Sequence, residues 1–311
     1  MSSPVIVTGS IATDHLMTFA GSFADSLLAD KLAAVSLSFL VEDLQVRRGG
    51  VAANICYGIA RLGGRPVLVG AVGPDFTTGY RPSLERHGVD CSQVWVSETA
   101  QTARFICTTD EKLCQIASFY PGAMTEAGRI DLEQVVAAVG DPGLVVIAPD
   151  TPEAMLRHAD ACRRRGWTFG ADPSQQLARM TGSQVRAFVA GAAYLFSNEY
   201  EHQLLLSKTG WTSAELQQQV GVIVTTLGPA GVRVVQDGEA VHVPAVPVAH
   251  VADPTGSGDA FRAGFVSATA AGASATRAAE RGSAVAALAL AAPGSQEYDP
   301  SAFRVATATR I

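Results

Sequence analysis

Lysine is scarce in this chain: the 311 residues hold only Lys31, Lys112 and Lys208, and none of them sits in a glycine-rich loop ahead of a helix. The Gly-x-x-x-x-Gly-Lys-Ser/Thr loop is therefore missing, which excludes a P-loop nucleotide enzyme. Also missing is Gly-x-Gly-x-x-Gly after the first apolar run, where Gly9-Ser10-Ile11-Ala12-Thr13-Asp14 supplies one glycine and then an acid. That argues against dinucleotide chemistry. Five cysteines, Cys56, Cys91, Cys107, Cys114 and Cys162, are scattered and odd in number, without a Cys-x-x-Cys pair. Reduced thiols fit this pattern better than a disulfide framework or structural zinc. No apolar run reaches the length of a bilayer span, and Val5-Ile6-Val7-Thr8-Gly9 is not preceded by a basic stretch and a long apolar one. A soluble cytoplasmic protein with no membrane partner is the expectation. Positive charge is short as well, 23 Lys and Arg against 29 Asp and Glu, with runs no longer than Arg163-Arg164-Arg165. A nucleic-acid partner is not expected without a basic stripe.

What is there is apolar: 48% of the residues are hydrophobic, enough for a large core in one α/β domain spanning 1–311. Short β-rich runs alternate with helical patterns, the signature of a mostly parallel sheet covered by helices on both faces. Strands are predicted at Val5–Thr8, Val67–Ala71, Leu144–Ala148, Thr168–Ala171, Ala193–Phe196 and Val222–Thr226. Helices are predicted at Val51–Leu62, Leu132–Val139, Pro152–Arg165, Tyr200–Lys208, Ala260–Ala271 and Ala275–Ala292. Two segments, about 14–48 and 102–120, break this rhythm. The first contains the period-two stretch Val35–Val41, and the second reads as a hairpin of Ala103–Thr108 and Cys114–Phe119 around Asp110-Glu111-Lys112. Together they predict a small β lid whose second apolar face calls for a partner.

The most informative stretch is Asp253-Pro254-Thr255-Gly256-Ser257-Gly258-Asp259-Ala260-Phe261. Two glycines let the loop turn tightly and aim backbone N–H groups at one point, at the positive end of the helix that follows. Asp259 then stands beside an anion hole as a base for a substrate hydroxyl, held ionised and weakly basic by the helix terminus. By itself such a loop could be no more than a helix cap. A second glycine motif far upstream, Arg47-Arg48-Gly49-Gly50-Val51-Ala52-Ala53-Asn54, also enters a helix.

In that order the two motifs resemble the signatures of the ribokinase-like (PfkB) family of carbohydrate and nucleoside kinases. The resemblance implies a three-layer α/β/α sandwich with a β lid, ATP and magnesium as cofactors, and a small-molecule acceptor. In it Asp14, Gly50 and Asn54 bind vicinal sugar hydroxyls, and Gly256, Ser257 and Gly258 take the γ-phosphoryl oxygens. Thr225-Thr226-Leu227-Gly228-Pro229-Ala230-Gly231 resembles the nucleotide-side turn, which places Thr226, Gly228 and Gly231 at the phosphates. Asn198-Glu199-Tyr200-Glu201 resembles the Asn-x-x-Glu motif, with Glu201 holding magnesium through water and Asn198 beside the nucleotide. Asp253 and Thr255 are candidate ligands of a potassium ion; Pro254 departs from the threonine or asparagine more usual there. The lid segments and Asp172-Pro173-Ser174-Gln175-Gln176 look like actinobacterial adenosine kinases, over roughly residues 5–297. That implies 5′-phosphorylation of adenosine, with Phe105 on the purine and Ser10, Ser38, Phe119, Gln175 and Arg179 completing the pocket. Homodimerisation through the lid is implied too. Two other readings stay open, a kinase for free ribose or fructose and a non-catalytic nucleoside or sugar sensor. The segment Tyr298–Ile311 departs from the resemblance and puts stability in doubt.

Overall fold

The computed structural model describes residues 3–26 and 38–303. Fourteen strands run β1 (Val5–Thr8), β2 (Ala12–Phe19), β3 (Asp43–Gly49), β4 (Pro66–Val69), β5 (Ala71–Val72), β6 (Trp95–Val96) and β7 (Ala103–Asp110), then β8 (Gln115–Tyr120), β9 (Leu144–Ile147), β10 (Phe169–Ala171), β11 (Tyr194–Asn198), β12 (Val222–Thr226), β13 (Val232–Gln236) and β14 (Glu239–Val243) among the described residues. Eight of them form the central sheet in the order β14-β13-β12-β11-β10-β9-β1-β4, parallel from β4 through β12 and antiparallel at β13 and β14.

The central strands read as unbroken apolar runs because both faces are buried. In β1, Val5 and Val7 pack with Ile55, Ile59, Ala263, Val266 and Val285, from the helices Val51–Arg61, Ser257–Ala270 and Ala275–Leu290. Ile6, one residue out of phase, packs with Val135, Met155, Val185 and Leu205 on the opposite side. The result is a three-layer α/β/α sandwich. Burying one such Val or Ile side chain contributes about 1.5–3 kcal/mol, so each strand is pinned from two directions.

The lid is a second sheet, β3-β2-β7-β8, in which β2 and β7 are parallel and the two outer pairs antiparallel. Here the structure corrects the sequence reading. The expected strand over Val35–Val41 lies outside the described residues up to 37, and residues 38–41 are irregular. The strands of that lid segment are β2 and β3 instead, and Asp14 stands within β2. The hairpin β7–β8 forms as expected. The hairpin β13–β14 was missed, although Asp237-Gly238 joins it with both residues at positive φ, 52° and 82°, the turn that Asp-Gly favours.

Candidate active site

The helix Ser257–Ala270 begins at Gly256, whose φ of 76° is left-handed. A Cβ there would lie 2.4 Å from the Cβ of Ser295, so only glycine fits. Asp259 sits in the first turn, where amide groups have no intrahelical acceptor and an anion is favoured. Ser257 donates its hydroxyl to the Pro254 carbonyl, 2.9 Å, which tightens the loop.

The second glycine motif meets the first here. Gly50 has φ 92°, and a Cβ on it would come within 2.6 Å of the Ile11 and Ala12 backbone, so the motif packs directly on the turn after β1. The helix that follows carries Asn54, whose Nδ2 donates to Asp259 Oδ2 at 2.8 Å across 205 residues of sequence. Burial raises the Asp259 pKa to about 6, with Asp172 and Asp14 adding to the rise and Arg262 and the Asn54 hydrogen bond opposing it. The helix terminus therefore does not hold Asp259 as an ordinary weak carboxylate; desolvation wins and makes it a stronger base. Asp14 is likewise raised to about 6, chiefly by burial, against the pull of Arg47.

Arg47 crosses from the lid strand β3 to the loop before the Ser257–Ala270 helix, donating from Nη1 to Asp253 Oδ2 at 2.6 Å. The other Asp253 oxygen accepts the Thr255 amide at 2.8 Å. Arg47, Asp14, Phe105 and Phe119 occupy one cross-strand row, so their side chains share a lid face. Since Arg47 reaches Asp253, that face turns toward the loop that opens the Ser257–Ala270 helix.

Not every expected residue joins the cluster through its side chain. Ser10 Oγ accepts the Val51 amide, 3.1 Å, and so caps the Asn54 helix. Gln175 and Arg179 are exposed on the turn after β10, and Ser38 is exposed at the start of a described segment. Asn198 and Glu201 form a capping box: Asn198 Oδ1 accepts the Glu201 amide and Glu201 Oε2 accepts the Asn198 amide, each at 2.8 Å. Burial raises the Glu201 pKa. Among the described residues no group of three or more His, Cys, Asp or Glu forms a metal cage.

Thr226, Gly228 and Gly231 line a cavity of about 690 Å³ that also touches Ser257 and Gly258. Apart from Ser283 its remaining walls are apolar, among them Val246, Val251, Phe261, Ala286 and Leu290. Apolar walls of this kind suit a flat heterocycle. A second cavity, about 740 Å³ between Trp95 and Glu153, holds none of the expected residues.

Sequence reasoning missed the groups beneath the loop. Arg262 is buried, hydrogen-bonds Asp172 Oδ1 at 2.7 Å from Nη2, and donates to the Gly258 carbonyl at 3.0 Å. A lone arginine in the apolar run Ala260-Phe261-Arg262-Ala263-Gly264-Phe265 was the available signal, since a buried charge needs a partner. Ser295 and Gln296 flank Asn54 with no motif to mark them. Tyr298, expected to fall where the chain loses its pattern, is 3% exposed and packed against Tyr57.

The chain is similar to known kinases over most of its length. The model of the pfkB family of carbohydrate kinases matches residues 11–302. A nucleoside kinase of Methanothermobacter thermautotrophicus is 32% identical over 274 residues, 87% of each chain. The Burkholderia thailandensis nucleoside kinase in complex with inosine superposes with a TM-score of 0.82 at 31% identity, covering 96% of this chain and 94% of that one. Its complex with ADP and inosine gives 0.79 at 32% identity, covering 96% and 92%. With the glycine loop, its aspartate and the nucleotide-sized cavity meeting at one edge of the sheet, the chain belongs to the pfkB family of carbohydrate kinases and is an ATP-dependent kinase acting on a hydroxyl group.

Proposed function

We propose that the chain is a nucleoside kinase that phosphorylates the 5′-hydroxyl of adenosine with ATP, giving AMP and ADP. The observation that carries this reading is the row Asp14–Phe105–Phe119 on the lid face turned toward Asp259: a carboxylate for two ribose hydroxyls beside aromatic rings for a base. The nucleoside kinases among the relatives support it.

In this reading Asp259 accepts the 5′-hydroxyl proton as that oxygen bonds to the γ-phosphorus and the bond to the bridging oxygen of ADP breaks. The loop amides of Gly256, Ser257 and Gly258 stabilise the charge on the transferring phosphoryl oxygens. Asp14, Gly50 and Asn54 hold the ribose, Phe105 stacks on the purine, and Ser10, Ser38, Phe119, Gln175 and Arg179 close the pocket. Thr226, Gly228, Gly231 and Asn198 border the nucleotide. Magnesium, held by the phosphates and through water by Glu201, supplies charge neutralisation when bound. A potassium ion at Asp253 and Thr255 belongs to the same reading, but it must share Asp253 with Arg47. A homodimer through the lid is supported by its outer face, where Leu44 and Val46 are 55% and 57% exposed beside Ile116 and Tyr120.

An ADP-release panel with adenosine, inosine, ribose and fructose tests the acceptor. We expect kcat/KM for adenosine to exceed that for either free sugar by about 100-fold or more, since the base adds stacking. Equal or better use of ribose or fructose would make the chain a sugar kinase, and no ADP release with any acceptor would favour a sensor.

A further inference from the structure

We infer that Gln296 is a positioning residue for phosphoryl transfer, fixing through Asn54 the direction of the hydrogen bond that Asp259 receives. The inference rests on Asp259 being the base, as proposed above. It follows from a chain of donors whose polarity is anchored at one end. The Gly49 carbonyl can only accept, and it takes the Tyr80 hydroxyl at 2.9 Å. Having spent its one hydrogen there, the Tyr80 oxygen accepts from Gln296 Nε2. Gln296 must therefore present its NH2 end, which also donates to Asn54 Oδ1 at 2.8 Å. With Oδ1 satisfied, Asn54 turns Nδ2 to Asp259 at 2.8 Å.

Ser295 does not replace this control, because its single hydroxyl hydrogen is divided between the Arg48 carbonyl at 3.1 Å and Asn54 Oδ1 at 3.2 Å. Gln296 and Tyr80 are both buried, so water does not compete. A reversed Asn54 would face its carbonyl oxygen to the carboxylate, removing a donor that favours the ionised base. The second glycine motif thus does more than approach a ligand: through Tyr80, Gln296 and Asn54 the Gly49 carbonyl sets the state of the base. The charged and titratable groups that face Asp259 are Arg262 from its own helix, Asp172 after β10, Asp14 from β2 and Tyr298 from the C-terminal segment. None is altered by changing Gln296.

The test is the pH dependence of kcat/KM for adenosine, with ATP and magnesium saturating, in the parent, Gln296→Leu, Tyr80→Phe, Asn54→Ala and Asn54→Ala/Gln296→Leu. Gln296→Leu should move the acid limb upward by about half a unit or more, lowering kcat/KM about 3-fold on the acid side and less on the alkaline plateau. Tyr80→Phe, which keeps the ring and its packing, should shift the limb the same way by less. The double variant should be no worse than Asn54→Ala, because the two residues act in series. Variants that lose activity equally at every pH, with the acid limb unmoved, would overturn the inference and leave Gln296 a packing residue. Asp259→Asn is the separate control: parent-like turnover there would overturn the role of Asp259 itself, and this inference with it.

Discussion

At the scale of single residues, Asp259 combines two effects that pull opposite ways, burial against the nearby Arg262 and the Asn54 amide, and burial dominates. With its pKa at about 6, the carboxyl is mostly ionised near neutrality. The proposed mechanism uses that ionised form, so kcat/KM is expected to fall as pH drops through about 6 and to level above it. Asp259→Asn should lower kcat on the order of 10²–10⁴-fold with substrate affinity within a few-fold, and should abolish that acid limb. Steady-state kinetics against pH read both. Arg262 makes a different prediction. Its partner Asp172 is fully buried, so Arg262→Met leaves an unpaired charge and should cost about 3–5 kcal/mol of stability, measured by denaturant unfolding. An unchanged stability would contradict the pairing. Asp259 was legible because its loop is short and local. Arg262 and Gln296 were not, because their partners lie 90 and 242 residues away in sequence. Nothing local distinguishes an arginine facing Asp172 from one facing solvent except the apolar run around it.

At the scale of elements, the proposed acceptor specificity rests on the lid. Phe105 pairs in register with Asp14 on one side and Phe119 on the other, so one strand row presents an acid and two rings. Phe105→Ala is expected to raise the adenosine KM by about 10–100-fold, from a stacking loss of roughly 1–3 kcal/mol, and to change any ribose phosphorylation little. A loss shared by all acceptors, with a fall in melting temperature, would mark the ring as packing alone. The β7–β8 hairpin was readable from period-two alternation around a polar turn. Strand β2 was not, because Ala12-Thr13-Asp14-His15-Leu16-Met17 does not alternate and is shielded only partly on each face. The Asn198–Glu201 pair shows the opposite difficulty: the same four-residue spacing that suggests a magnesium ligand also makes a capping box, and the helix uses it as one.

At the scale of the whole molecule, the sheet was legible because burial on both faces makes each parallel strand a plain apolar run. Strand order was not, since β9 beside β1 is set by packing between segments far apart. The outer lid face adds an expectation about assembly. Val46→Glu, on the face opposite Asp14, should convert a dimer to a monomer in sedimentation velocity, and a monomeric parent would contradict the dimer reading. One phosphoryl transfer tests the role of Asp259 most directly. With ATP labelled at the γ-phosphate, the parent should move the label to the 5′ position of adenosine and Asp259→Asn should do so at most about one-hundredth as fast. Label that stays off adenosine, or transfer that is indifferent to Asp259, would contradict it.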